Sequence, residues 1–255
     1  MQVICLQSGS NGNCVYVETD GARLLFDAGI SGSRAKERLA RHGRDVANVD
    51  AVLISHDHVD HSRSMGVYHR KFGLPIYATA KTYAAASRYG LGEIEDLCHF
   101  TAGEKLRFGD VMVETIATPH DAADGVVFVV DDGKHRLGVL TDLGHVFADL
   151  EGVIGSLDAV VLESNYDPDM LARGSYPDSL KRRIRGPAGH ISNTEAAELL
   201  RSTAARRMQW ACLAHLSADN NTPALALNTH RRIIGDRFPV VVATRYDATD
   251  LPAVA

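Results

Sequence analysis

The chain has only four cysteines, Cys5, Cys14, Cys98 and Cys212, and no two of them stand in CxxC spacing. Three lie inside apolar stretches, which argues against a cysteine zinc site or a disulfide-stapled scaffold and predicts buried free thiols. No apolar run approaches the ~18 residues of a membrane span. The N-terminus begins with strand-like Val3-Ile4-Cys5-Leu6 rather than a basic segment followed by a long apolar one. A cytoplasmic protein without membrane contact is the expectation. Linkers rich in Pro, Gly or Ser, internal repeats and low-complexity tracts are missing too. With 45% hydrophobic residues, the 255-residue chain can bury one large core and is expected to form a single domain over residues 1–255. Nor is there an excess of positive charge: the net charge of −5 argues against a uniformly basic nucleic-acid binder. The distribution is uneven, however. Residues 173–207 hold eight basic groups (Arg173, Lys181, Arg182, Arg183, Arg185, Arg201, Arg206, Arg207) against three acids. That stretch reads either as a nucleic-acid contact or as a solvated helix face.

What is present is concentrated in one run. His56-Asp57-His58-Val59-Asp60-His61 packs three imidazoles and two carboxylates into six residues, directly after the apolar stretch Ala51-Val52-Leu53-Ile54. Five ionisable groups at the mouth of a buried strand repel or desolvate one another unless a cation neutralises them. The run therefore reads as a set of ligands for a divalent metal.

Along the chain, short β-rich segments alternate with helical ones. Strands are predicted at residues 3–6, 15–18, 24–26, 51–54, 76–78, 111–116, 126–130, 137–140, 159–162, 210–213 and 240–243. Helices are predicted at 33–41, 64–72, 82–89, 193–205 and 223–237. Ser192 and Glu195 form a capping-box pattern, and Thr222-Pro223 supplies an N-cap with proline at the first helical position. Hairpin-type runs early and again in the middle, with helices between, suit an α/β fold in which two sheets pack together under outer helices.

Polar groups recur just past the ends of the predicted strands: Asp27, His120 in Thr118-Pro119-His120-Asp121, Asp142 in Thr141-Asp142-Leu143-Gly144, and His215 in Ala214-His215-Leu216-Ser217. A lone histidine at a strand end is usually a satisfied core residue. Four such positions beside the 56–61 run supply the complement of a metal site. Mixed imidazole and carboxylate donors suit Zn²⁺, Mn²⁺ or Fe²⁺, and without a cysteine ligand zinc is not singled out.

An early Asp, an HxHxDH element, a distant His, an Asp and a final His, in this order, resemble the motif series of the metallo-β-lactamase superfamily from Asp27 to His215. The resemblance implies an αβ/βα four-layer sandwich, two mixed β-sheets flanked by helices, with a binuclear metal site at one edge. Carried over, His56, His58 and His120 would hold the first metal, Asp60, His61 and His215 the second, and Asp142 would bridge them. Asp27 would steady the metal loop from behind. Asp57 and Val59 fall at variable positions, and Asp57 is expected to be a solvated loop carboxylate. A pair of such ions lowers the pKa of a bridging water and clamps the oxygens of a displacement, which is hydrolytic chemistry.

Glu163 ends the predicted strand 159–162, and Gly189-His190-Ile191-Ser192-Asn193 leads into the capped helix, whose N-terminus is expected to attract phosphate. The order Asp142, Glu163, His190, His215 is similar to that of the tRNA 3′-processing endonucleases of the superfamily. It implies a proton-donor dyad of Glu163 and His190, with Asp60 as a further catalytic group. Ser8-Gly9-Ser10-Asn11-Gly12-Asn13-Cys14, Leu162-Glu163-Ser164-Asn165, Gly189–Asn193 and His215–Pro223 together resemble the YycJ/WalJ-type subgroup, associated with exonuclease action on DNA; Tyr166 departs from a histidine common there. The resemblance thus implies a metal-dependent phosphodiesterase acting on nucleic acid, a DNA exonuclease; the expected substrate contacts are Asn13 in the Ser8–Asn13 loop, Ser192 and Asn193 at the helix start, and Lys181, Arg182 and Arg183 in the basic stretch. A small-molecule hydrolase of cyclic phosphodiesters, lactones or thioesters is the alternative, as is a metal-bound regulatory protein without turnover. A β-lactamase is disfavoured because those enzymes generally lack an Asp at the position of Asp142. A glyoxalase II-type thioesterase is disfavoured because little chain follows His215.

Overall fold

Strands whose side chains alternate between two buried environments organise the molecule, a computed structural model of which describes residues 1–255. The first half holds β1 (Gln2–Gln7), β2 (Cys14–Glu18), β3 (Arg23–Phe26), α1 (Gly32–Arg41), β4 (Ala51–Leu53), α2 (Val59–Ser62), α3 (Met65–Phe72), β5 (Ile76–Thr79), α4 (Ala80–Ala86) and β6 (Leu97–Phe100). The second holds β7 (Lys105–Phe108), β8 (Val111–Ala117), β9 (Val126–Asp131), β10 (Arg136–Leu140), α5 (Ala148–Gly155), β11 (Ala159–Glu163), α6 (Pro168–Arg173), α7 (Asp178–Arg185), α8 (Asn193–Thr203), β12 (Trp210–Ala214), α9 (Pro223–Ile234), β13 (Val240–Val242) and β14 (Thr249–Asp250).

In β1, Val3 and Cys5 enter the cluster between the sheets, whereas Ile4 and Leu6 point outward into a second cluster under α1 and α3. In β9, Val126, Phe128 and Val130 face inward, while Val127 and Val129 face a third cluster under α5, α8 and α9. A period of two with both faces buried explains why these strands read as unbroken apolar runs. Phe26 and Phe128 meet across the sheets at 5.1 Å between ring centroids. The result is two sheets with helices outside each, the αβ/βα sandwich expected.

Each sheet has seven strands, in the orders β14-β1-β2-β3-β4-β5-β6 and β13-β12-β11-β10-β9-β8-β7. Both are mixed. Antiparallel pairing joins β1 to β3 and β7 to β10, and parallel pairing continues from β3 to β6 and from β10 to β13. The parallel strands therefore deliver their carboxyl ends to one edge, which is where the polar residues collect.

Helix ends follow local chemistry. α9 stops at Ile234 rather than at residue 237 because Gly235, at φ +64°, closes it. The helix predicted at 82–89 breaks after Ala86 into a 3₁₀ turn, Ser87–Tyr89. Cys5, Cys14 and Cys212 are buried, Cys98 is half-buried, and all four are free thiols. No helix is long and apolar enough to cross a membrane.

Candidate metal centre

Asp27 follows β3, the 56–61 run follows β4, and Asp142, Glu163 and His215 stand at the ends of β10, β11 and β12. Only three non-glycine residues in the chain have positive φ: Asp27 (67°), Asp142 (58°) and His215 (55°). Left-handed backbone costs about 1–3 kcal/mol at each such residue, so its confinement to strand ends at one edge marks that edge as a site held against local preference.

The ligand-type atoms converge. Those of His56, His58 and His120 lie within 4.8 Å of one another, as do those of Asp60, His61 and His215, and those of His56, His61 and Asp142. Asp142 spans the groups: Oδ2 is 3.2 Å from His61 Nε2, and Oδ1 is 3.5 Å from His120 Nε2 and 3.4 Å from His215 Nδ1. The other ring nitrogen of several histidines is committed elsewhere. His61 Nδ1 meets Asp27 Oδ2 at 2.7 Å, His120 Nδ1 donates to Gly189 O at 2.8 Å, and His56 Nδ1 meets Ser55 Oγ at 2.9 Å. Asp27 also accepts the Ser55 backbone N–H at 2.8 Å. Fixing the outer nitrogen turns Nε2 of each ring toward the centre, the arrangement that metal-binding histidines require.

Two buried atoms at the centre, His56 Nε2 and Asp142 Oδ2, have no hydrogen-bond partner. The electrostatics agree. Burial would lower His61, yet Asp142, Asp27 and Asp60 outweigh it and raise its pKa well above the ordinary value. Burial likewise opposes ionisation of Asp142, but His215 and His61 hold it well below the carboxylate range. His215, against its own desolvation, is pushed up to about 10 by Asp142, Asp60 and Glu163. Burial, in contrast, holds His56 well below and His120 below the ordinary imidazole range, so those rings offer lone pairs. Ionised carboxylates beside such rings, with central lone pairs unpartnered, fit a bound cation.

Glu163 and His190 close the other side. Glu163 Oε1 is 2.6 Å from His190 Nδ1, while Oε2 accepts the backbone N–H of Leu143 at 3.1 Å and of Ile191 at 3.2 Å. Burial works against its charge, but His190 above all, with help from His215, brings its pKa down to about 2. The His190 side chain is 20% exposed and Glu163 is not exposed at all. The pair therefore presents a ring to solvent from a buried carboxylate.

Several residues expected to touch substrate lie elsewhere. Asn193 is fully buried, its Oδ1 accepting from Ser164 Oγ at 2.6 Å and from Asn221 Nδ2 at 2.8 Å, so it does not face a substrate. Ser192 is spent on a reciprocal capping box with Glu195, and Asn193 N donates to Tyr166 O at 2.9 Å, which occupies three of the amides the helix start was expected to offer. Asn13 is buried against the cluster, Nδ2 lying 2.9 Å from His61 Nε2. Arg183 pairs with Asp121 at 2.5 Å, leaving Arg182 and Arg185 of α7 without carboxylate partners; Lys181 caps Ala172 O. Arg207 is bidentate to Asp158 at the opposite end of the strands, so residues 173–207 do not form one basic track. Asp57 is not a solvated loop carboxylate. It is buried, pairs with Arg88 at 2.9 Å and accepts the Ala123 N–H at 2.8 Å, tying the metal loop to the loop that carries His120. Tyr166 is buried, and its backbone pairs with Ser192. Ser55 and Ser8, whose Oγ accepts the His215 N–H at 2.7 Å, also position the site; Ser8 opens the Ser8–Cys14 run, whereas nothing in its local sequence marks Ser55.

Gly29 sets the approach of the metal loop. A Cβ there would stand 1.6 Å from Asp60 O and 2.6 Å from Asn13 N, both backbone atoms. Gly29→Ala is expected to cost at least about 1–3 kcal/mol in denaturant unfolding and to lower metal content by displacing Asp60 and His61. Gly152→Ala, in open space on α5, is expected to be neutral or stabilising.

These features define a hydrolase of the metallo-β-lactamase superfamily: the profile of the Beta-lactamase superfamily domain matches residues 22–211, and the chain belongs to that superfamily. It is 37% identical over 248 residues to exodeoxyribonuclease YycJ of Bacillus anthracis, covering 96% of this chain and 94% of that protein. It is 39% identical over 227 residues to exodeoxyribonuclease WalJ of Streptococcus pneumoniae, covering 87% and 83%. Among solved structures, the metallo-β-lactamase fold protein YhfI from Bacillus subtilis gives a TM-score of 0.73 at 16% identity, covering 98% of this chain and 99% of that one. The short form of human tRNase Z gives 0.68 at 16% identity, covering 99% and 100%. At such identities the likeness is one of fold.

Proposed function

We propose that this protein is a binuclear metal-dependent phosphodiesterase that acts on DNA as an exonuclease. The observation that carries the reading is the Glu163–His190 pair, 2.6 Å apart beside the ligand cluster, in a chain matched over 96% of its length by an exodeoxyribonuclease. A hydrolase of activated esters has little use for such a proton donor.

His56, His58 and His120 would hold one divalent cation, Asp60, His61 and His215 a second, and Asp142 both; zinc or manganese suits the donor set, and iron also fits it. When bound, such a pair supplies a water of lowered pKa and stabilises charge on the phosphoryl oxygens. The rest falls to the chain. Asp60 keeps 14% of its side chain open to solvent, against 3% for Asp142. It is assigned to orienting the attacking water and receiving its proton. His190, its Nδ1 proton held by Glu163, delivers the proton on Nε2 to the departing oxygen. Asp27 and Ser55 hold His61 and His56 in place throughout, and residues 1–255 act as one catalytic unit.

The test is a panel of end-labelled single- and double-stranded DNA and RNA with Mn²⁺ or Zn²⁺, beside a lactone, a thioester and bis(p-nitrophenyl) phosphate. Progressive shortening of DNA that disappears in a metal-site variant is the expected result. Turnover of small esters alone would assign the site to a small-molecule hydrolase, and metal binding without any turnover to a regulatory protein. Binding should also weaken with salt. Replacing Arg182 and Arg185 together by Ala is expected to reduce the log–log salt slope by about one unit for each phosphate no longer neutralised; an unchanged slope would make α7 a solvated face.

A further inference from the structure

The loops that follow β1, β12 and β13 enclose a cleft of about 330 Å³ that the mechanism above does not use. Leu216, Pro223, Val242 and Ala243 give it mostly apolar walls, Ser8 borders it, and Tyr246 stands over it. It adjoins the metal cluster through covalent and hydrogen-bonded links. Leu216 directly follows His215, and Ser8 is the residue whose Oγ accepts the His215 N–H at 2.7 Å.

Tyr246 is 77% exposed, far more than any other large exposed apolar side chain, the next being Val59 at 43%. Its backbone is nevertheless held firmly. Tyr246 O accepts from Nη2 of the buried Arg38 at 2.5 Å, Ser8 N donates to Thr244 O at 3.1 Å, and Asn11 Nδ2 donates to Arg245 O at 3.1 Å. A rigid loop thus presents an aromatic face to water, where it gains nothing from burial. Arg245, next to it, pairs with no carboxylate. Its guanidinium reaches Leu216 O and, at 3.1 Å, Asn11 Oδ1, joining the loop after β12 to the loop after β1.

We propose that this cleft is a nucleobase subsite, in which one base of the bound strand stacks on Tyr246 while Arg245 offers charge to the adjoining phosphate. The proposal rests on the phosphodiesterase reading and adds to it what positions the strand. Size supports it. The cleft lies at the lower end of the ~300–1,000 Å³ typical of small-molecule sites, enough for one planar group and too little for a duplex end. Its chemistry supports it as well. An apolar wall with few polar groups does not read base edges, so the subsite accepts any base through its π-face.

The test uses metal-loaded protein and single-stranded DNA oligonucleotides made resistant to cleavage by phosphorothioate linkages and carrying one abasic residue, moved stepwise inward from the end that is cut. Dissociation constants are measured for wild type, Tyr246→Ala and Tyr246→Phe, with metal content and melting temperature recorded for each. In wild type, one abasic position is expected to weaken binding about tenfold, the usual scale of a base–aromatic stack. Tyr246→Ala should weaken binding of intact DNA by a similar factor and be indifferent to the abasic residue at that position. Tyr246→Phe should behave as wild type. If no position matters in wild type, or if the alanine and abasic effects simply multiply, Tyr246 holds no base, while DNA binding by wild type leaves the nuclease reading standing. If Tyr246→Ala melts lower than wild type, the wild-type abasic series and the phenylalanine variant still decide. If wild type binds no DNA at all, the nuclease reading fails first and the subsite with it.

Discussion

Asp142→Ala is expected to lose both metal ions and to reduce phosphodiesterase turnover at least about 10³-fold. The carboxylate faces both ligand groups, with Oδ2 toward His61 and Oδ1 toward His120 and His215. It is also the largest source of the charge that counters desolvation at His61 and His215. Removing it would take a ligand from each of the two proposed cations and leave the histidine cluster with less negative charge to offset them. The electrostatic help of a bound metal amounts to several kcal/mol, and each ~1.36 kcal/mol is a factor of ten, which sets the lower bound on the loss. Alanine is also a poor occupant of φ +58°, so some stability is lost with the metals. Asp142→Asn separates the two effects. Asparagine tolerates left-handed backbone but brings no charge, so it should melt closer to wild type than the alanine variant and still lose metal. Elemental analysis decides. Two ions per chain in replete wild type and near none in Asp142→Ala is the expected result; one ion per chain in wild type, or unchanged content in the variant, would sink the binuclear assignment.

The fold is legible where both faces of a strand are buried, because β1, β9, β11 and β12 then read as apolar runs bounded by polar residues. It is less so at the edges. β6 and β7 are four residues each, β7 alternates as Lys-Leu-Arg-Phe with no fully buried side chain, and β14 has two residues. α5 opens without a side-chain cap and has only eight residues, Gly152 and Gly155 among them, so its short stripe of Leu150, Val153 and Ile154 does not announce a helix, and α7 has no fully buried residue. α6 does carry a readable signature, which apolar periodicity alone misses: Asp167-Pro168 is an N-cap followed by proline at the first helical position. At the site, residue types and order point to the groups that converge. Of their supports, Asp27 is visible; the contacts of Ser55, Ser8 and Asp57 are not, because they run through single hydrogen bonds and ion pairs to residues far away in sequence. The helix start at Ser192 misleads for a related reason. A capping box and a phosphate-binding N-terminus share the same sequence signature, and only the closed Ser192–Glu195 pair tells them apart.

His190→Ala is expected to keep its metals and lower turnover of an unactivated phosphodiester by about 10²–10⁴-fold, the usual scale of general acid help. Metal content should hold because the cluster has ligand-type atoms enough without this ring, which lies on its open side with 20% of its surface exposed. Glu163→Gln should act in the same direction by a different route. Glu163 Oε2 accepts two backbone N–H groups, from Leu143 and Ile191, so a glutamine must turn its oxygen toward them. Its amide N–H₂ then faces His190 Nδ1, where Oε1 now stands at 2.6 Å. Against that donor, Nδ1 has to accept, so the hydrogen bond by which the carboxylate holds the Nδ1 proton and orients the ring is lost. With a pKa near 2, Glu163 is ionised in wild type, so its Oε1 accepts from His190 Nδ1 instead of donating to it. Leaving-group dependence gives the readout that a merely structural loss would not produce. Both variants should lose far less on bis(p-nitrophenyl) phosphate, whose departing oxygen needs little protonation, than on an alkyl diester or DNA. Equal losses on the two substrate types would mean that the pair supports the loop around Gly189 rather than transferring a proton. Wild-type rates on DNA in both variants would remove Glu163 and His190 from the mechanism.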